Sequence, residues 1–209
     1  MNFQTLIRKN IDCQLRNLYV IGSTAYGIKS WNQSDLDLIA VVNEPYIDDE
    51  KNLTSVNGIQ IDIRIYGKER FQELLESHEI SALECIFLGQ EFKLQEIIQF
   101  GFTLDLNRLR SSISHQASHS FVKAKKKLTV FKDYDPYIGK KSLFHSLRVL
   151  CFGIQLAKYG RIIDFSEANG YWYEIVGSEC NSWEHLQQHY QGIYNRLKSE
   201  FKKLAPPFK

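Results

Sequence analysis

The clearest pattern in the chain runs from Gly58 to Gly67. Ile59, Ile61, Ile63 and Ile65 alternate with Gln60, Asp62, Arg64 and Tyr66, the two-residue period of a strand with one apolar face. The Asn57-Gly58 pair just before it is a hairpin turn signal. Upstream, Leu18–Ile21 predicts a short strand that stops at Gly22. Ser23–Gly27 opens a helix on small residues, and Leu36–Val42 predicts a second strand. Phe3, Leu6, Ile7 and Ile11 share a helical face, so residues 3–16 predict a short amphipathic helix. Residues 43–51, with Pro45 and the acidic Asp48-Asp49-Glu50, read as a loop.

From residue 68 the period becomes helical. Segments 68–77, 79–88 and 91–100 predict helices of modest length, followed by a long one over about 103–131. The stretch Asp133–Gly139 breaks it. A further helix spans 140–159 and is stopped by Gly160. Ser182 caps a last helix that runs to Leu204, before Pro206-Pro207 ends regular structure. The expected fold class is α+β: a small mixed sheet with flanking helices over 1–100, then an all-helical domain over 101–209.

Composition changes this picture little. The chain has 209 residues, 44% of them hydrophobic and 24% charged, with a net charge of +2. That balance argues against binding nucleic acid by bulk charge, although local basic patches are compatible with it. Cys13, Cys85, Cys151 and Cys180 are far apart and show neither CxxC nor zinc-ligand spacing, so reduced thiols in a cytoplasmic setting are expected. No apolar run has the length of a membrane span and the first residues lack a signal peptide's apolar stretch, so no membrane association is expected.

The charged positions carry the chemistry. Asp35 and Asp37 are two apart at the start of the strand Leu36–Val42, so both project from the face opposite Leu36 and Leu38. Two carboxylates held side by side repel unless a cation intervenes. Mg²⁺ prefers such hard oxygen ligands and accompanies phosphates. Asp62, on the polar face of the alternating strand, is the natural third ligand. Three carboxylates suit a site for two metal ions about 3.5–4 Å apart that clamps an in-line phosphoryl displacement.

Gly22-Ser23, an eleven-residue gap, Asp35-Leu36-Asp37 and then a lone strand carboxylate, Asp62, together resemble the DNA polymerase β-like nucleotidyltransferase superfamily. Tyr26-Gly27 and Ser34-Asp35 are similar to its small stand-alone bacterial and phage members. The likeness covers residues 18–67. It implies that Gly22 and Ser23 hold a nucleoside triphosphate. It implies that Asp35 and Asp37 ligate two Mg²⁺ (or Mn²⁺) ions, and that Asp62 binds the catalytic ion and helps deprotonate the attacking hydroxyl. The implied reaction moves a nucleoside monophosphate from an NTP to an acceptor hydroxyl, on an RNA 3′ end, a small molecule or a protein, and releases pyrophosphate.

Lys141, His145 and Arg148 are spaced i, i+4 and i+7, one helical face, and Lys141 and Arg148 are candidates for the triphosphate. His115, His119, Lys123 and Lys126 form a second stripe, which with Lys125 and Lys127 could meet a nucleic-acid backbone. Arg64 is either an ion-pair partner or a substrate contact. Tyr171-Trp172-Tyr173 reads as packing. Two other functions fit parts of the pattern: a nucleotide-binding module without turnover, and a protein that binds nucleic acid or a partner through the helical basic face.

Overall fold

The computed structural model describes residues 7, 11, 14–28, 35–43, 49–54, 58 and 60–207. Most of the expected helix at 3–16, and Ser34 and Asn57, lie outside the described residues. Five strands form one mixed sheet: β1 (Leu15–Ile21), β2 (Leu36–Val42), β3 (Asp49–Thr54), β4 (Gln60–Gly67) and β5 (Lys93–Glu96), in the order β3-β4-β2-β1-β5. β2 and β4 are parallel, and the other three pairs are antiparallel. A single helical turn, α1 (Gly22–Ala25), follows β1, and α2 (Lys68–Glu76) and α3 (Ile80–Phe87) follow β4.

The alternation along β4 becomes a buried face and a partly covered one, open at Gln60 and Asp62. Ile61, Ile63 and Ile65 join Leu18, Val20, Leu36, Leu38, Ala40 and Val42 in one apolar cluster, with Ile7 and Ile11 against it. The opposite face is covered where α2 crosses it: the Phe71 ring stacks on Tyr19 at 6.0 Å and meets Tyr66 at 6.5 Å. Burying a side chain such as Phe71 contributes roughly 1.5–3 kcal/mol. Cover on both faces explains why β2 reads as an unbroken apolar run after Asp37.

Both outer strands correct the sequence reading. Asp49, Glu50 and Lys51 were expected as loop and instead begin β3, an edge strand whose charged residues disguise its period. Charge on an edge strand also discourages pairing with other chains. Residues 91–100 were expected as helix. They hold instead a 3₁₀ turn at Gln90–Phe92 and the strand β5. The cause is tertiary: fully buried Asn17 accepts from the Ile97 and Ile98 amides at 3.0 and 2.9 Å, and donates to the Ile98 carbonyl at 2.7 Å and to the Tyr19 hydroxyl at 2.6 Å. Residues 15 and 16, placed in the first helix by their spacing, belong to β1.

The chain divides into two compact units, Met1–Thr103 and Leu104–Lys209. The second is helical: α4 (Leu106–Thr129), α5 (Pro136–Tyr159), α6 (Asn169–Val176) and α7 (Trp183–Leu204). Asp105, Asp135 and Ser182 cap α4, α5 and α7 through their side chains. α5 starts earlier than its pattern suggested, because Pro136 is at home in a first helical turn. It ends at Gly160, whose φ of +70° suits a left-handed cap. α6, which carries Tyr171-Trp172-Tyr173, was not anticipated; Trp172 packs edge-on against Phe144 at 5.2 Å. α5 is the central helix, buried on nearly every side between Gly139 and Leu156. At Gly153 a Cβ would lie 2.7 Å from Ile113 of α4 and 3.2 Å from Phe201 of α7, so glycine lets three helices meet. No described helix is long and apolar enough to cross a membrane.

Candidate active site

β1 ends at Ile21, and Gly22 turns the chain with φ of +72°, a conformation costly to any residue with a Cβ. The turn closes through Tyr26 N–H to the Gly22 carbonyl at 3.1 Å and Ile28 N–H to the Ser23 carbonyl at 3.0 Å. Its far end is anchored by Tyr26, whose buried hydroxyl donates to Glu84 Oε2 of α3 at 2.7 Å. The sequence reading did not foresee this anchor. A carboxylate at 84, inside the apolar helix Ile80–Phe87, was the available signal.

Register brings the acidic positions to the same turn. Asp37 pairs with Ile21 on one side and with Asp62 on the other. Residues opposite one another on neighbouring strands are about 5 Å apart, so Asp37 and Asp62 stand side by side at the start of β2 and β4. Asp37 is half-buried and Asp62 is exposed. Asp37 also leans against the turn: a Cβ on Gly22 would lie 2.4 Å from Asp37 Oδ2. Glycine is therefore required at 22 twice over, by its backbone angle and by the carboxylate beside it. Asp35 is exposed and precedes β2. Among the described residues, no group of three or more His, Cys, Asp or Glu side chains is arranged to hold a metal ion. The fit to a metal is therefore that of two matched carboxylates, Asp37 and Asp62, with Asp35 at the mouth of the strand. Hard carboxylate oxygens are the correct donors for Mg²⁺.

Arg64, two residues along β4, is half-buried and lies in register with Ile39 and Glu50. Its charge reaches the buried Cys85 thiol and opposes the rise in pKa that burial and the neighbouring Glu84 impose there.

The basic candidates lie on α5 in the helical unit. The expected stripe is graded rather than uniform: Lys141 is exposed, His145 half-buried, and Arg148 only 8% exposed. Lys141 Nζ lies 5.4 Å from the Tyr137 ring. Arg148 Nη2 donates to His145 Nδ1 at 2.7 Å, which makes that nitrogen the acceptor and puts any proton of the neutral ring on Nε2. The guanidinium also lies 5.7 Å from the Phe144 and Phe152 rings.

Neither a family model nor a curated protein sequence matches the chain. Among solved structures, it is similar to the crystal structure of a nucleotidyltransferase-like protein from Exiguobacterium sibiricum 255-15. The identity is 12%, the match covers 96% of this chain and 73% of that one, and the TM-score is 0.36. A TM-score this low leaves the reading of the site to the residues themselves.

Proposed function

We propose that the chain is a metal-dependent nucleotidyltransferase that moves a nucleoside monophosphate from an NTP to an acceptor hydroxyl. The observation that carries the reading is the register of Asp37 with Asp62 beside the Gly22-Ser23 turn. Two carboxylates side by side repel unless a cation intervenes, and together they make a hard, anionic mouth suited to cations that travel with phosphates. Asp35, Asp37 and Asp62 would hold two Mg²⁺ ions, which when bound neutralise phosphate charge and align the reacting oxygens.

The rest is work for the chain's own groups. Gly22 has no side chain of its own, so the backbone amides of the Gly22-Ser23 turn would come close to the triphosphate on the side away from Asp37. α1 is a single turn, so these individual amides, rather than a helix dipole, would contact the triphosphate. Asp62, exposed and at the strand start, would take the proton of the acceptor hydroxyl. The hydroxyl oxygen bonds to the α-phosphorus, the bond from that phosphorus to the β-phosphate oxygen breaks, and pyrophosphate leaves. Lys141 is the exposed cation of the α5 pair and the simpler candidate for phosphate contact. Arg148 would have to give up His145 to serve.

The acceptor classes stay as the motif implies them: an RNA end, a small molecule or a protein hydroxyl. A second reading, a nucleotide-binding module without turnover, is favoured by the lack of a three-carboxylate metal arrangement among the described residues. Incubation with each labelled NTP and Mg²⁺ or Mn²⁺ separates the two. Pyrophosphate release that Asp62→Asn abolishes supports the enzyme. Tight nucleotide binding with no release, whatever acceptor is supplied, supports the module.

A further inference from the structure

We propose that the corner between α4 and α5 is a binding surface for single-stranded nucleic acid. Residues 123–141 carry seven lysines and two aspartates, in a chain whose net charge is only +2. Lys123, Lys125, Lys126, Lys132 and Lys141 are exposed. Both aspartates are engaged locally: Asp133 pairs with Lys126 at 3.0 Å, and Asp135 caps α5 by accepting from Ile138 N–H at 3.0 Å. Four exposed lysines therefore keep their charge for a ligand. Exposed His115 and His119, stacked at 6.3 Å, continue the α4 face toward its N-terminus, a track of about 16 Å from His115 to Lys126.

Aromatic rings stand among these cations. Phe131 is 95% exposed, Tyr134 52% and Tyr137 47%. A phenylalanine so far out of the core does nothing for folding, yet its backbone is firmly held. Asp133 N–H bonds to the Val130 carbonyl at 2.9 Å, and Asp135 N–H returns to the Lys127 carbonyl of α4 at 2.9 Å. Exposed rings on a held backbone, interleaved with lysines, suit unpaired bases, which stack on aromatic faces while their phosphates meet ammonium groups. A duplex hides its base faces from such rings. A membrane surface fits less well, because two of the three rings bear hydroxyls, Asp133 sits in the same turn, and Lys123 and Lys125 extend the charge back along α4.

The inference uses none of Asp35, Asp37 or Asp62 and stands or falls apart from the proposed reaction. The test is fluorescence anisotropy with labelled 12-mer oligo-U and oligo-dT, a duplex of equal length, and sedimentation with vesicles of phosphatidylserine and phosphatidylcholine. The single strands are expected to bind at least tenfold more tightly than the duplex. With four phosphate contacts, log Kd should rise against log salt with a slope of roughly 3, a loss of roughly 50-fold between 50 and 200 mM. Phe131→Ala should weaken binding about tenfold, and Lys125→Gln with Lys132→Gln should flatten the salt slope. All three positions are exposed, so unchanged melting will show that folding is intact. Asp62→Asn should bind as the unaltered chain does. No binding of either strand at 50 mM salt would overturn the proposal. So would binding indifferent to Phe131, or vesicle binding in place of oligonucleotide binding.

Discussion

Gly22→Ala should be markedly more damaging than Gly27→Ala, and the difference measures how closely Asp37 is seated against the turn. The two glycines have nearly the same backbone, with φ of +72° and +71°. Placing an L-residue in that region costs about 1–2 kcal/mol at either site. Their surroundings differ. A Cβ at 22 would lie 2.4 Å from Asp37 Oδ2 and 3.2 Å from its Cβ and Cγ, whereas at 27 nothing lies within 4 Å. Forcing such an overlap costs a further 1–3 kcal/mol, roughly, as overpacking does. With a urea slope of about 2 kcal/mol/M, the excess is a midpoint shift of roughly 0.5–1.5 M between the two variants. Urea unfolding followed by circular dichroism reads it directly. Asp37→Ala removes the carboxylate and leaves only a tight Cβ contact, so most of the excess should vanish in the double variant. Equal midpoints for Gly22→Ala and Gly27→Ala would refute the reasoning, as would an excess that survives loss of the carboxylate.

Other expectations follow from the same geometry. Asp62→Asn should lower turnover at least about 100-fold while changing stability by less than about 1 kcal/mol, since the side chain is exposed; pyrophosphate release and urea unfolding check the two parts. Asn17→Ala should cost about 2–4 kcal/mol, because it strands the Ile97 and Ile98 backbone groups that Asn17 satisfies, and amide exchange should rise along β5 first. In the helical unit, Gly153→Ala should destabilise although alanine favours helix, since its Cβ would meet Ile113 at 2.7 Å. Gly192→Ala, with nothing within 4 Å, should stabilise by about 0.5–1 kcal/mol in thermal melts. Burial pushes the Cys151 thiol up to about 12, from an ordinary value of 9.0. The folded state then holds a proton that the unfolded state sheds, so this stability is complete below pH 9 and declines toward pH 12, by up to about 1.4 kcal/mol per pH unit. Cys151→Ala should flatten that part of the stability profile.

Much of the fold was legible because burial is periodic. β4 and β2 announced themselves through alternation and an apolar run, and Ser182 precedes the helix it caps. Two strands escaped for reasons local pattern cannot hold. β3 is a charged edge, and β5 exists because Asn17, about 80 residues earlier, draws the chain against β1. The candidate site was partly legible. Spacing placed Asp35 and Asp37 on one face of their strand and Asp62 on the polar face of another, and register brings Asp37 and Asp62 together. What spacing could not show is that Asp37 rests on Gly22, or that Tyr26 is tied to Glu84. The α5 stripe misled for a related reason. Helical spacing puts Lys141 and Arg148 on one face, but on a central helix both ends of a face need not see solvent, and Arg148 is drawn inward by His145 and two phenylalanine rings.

The most direct test of the carboxylate pair is Mn²⁺ binding, read from loss of the free-ion electron paramagnetic resonance signal with and without a non-hydrolysable NTP. The account expects uptake by the unaltered chain, strengthened by nucleotide, and affinity at least about tenfold weaker in both Asp37→Asn and Asp62→Asn. Uptake that neither substitution alters, or no uptake even with nucleotide present, would contradict it.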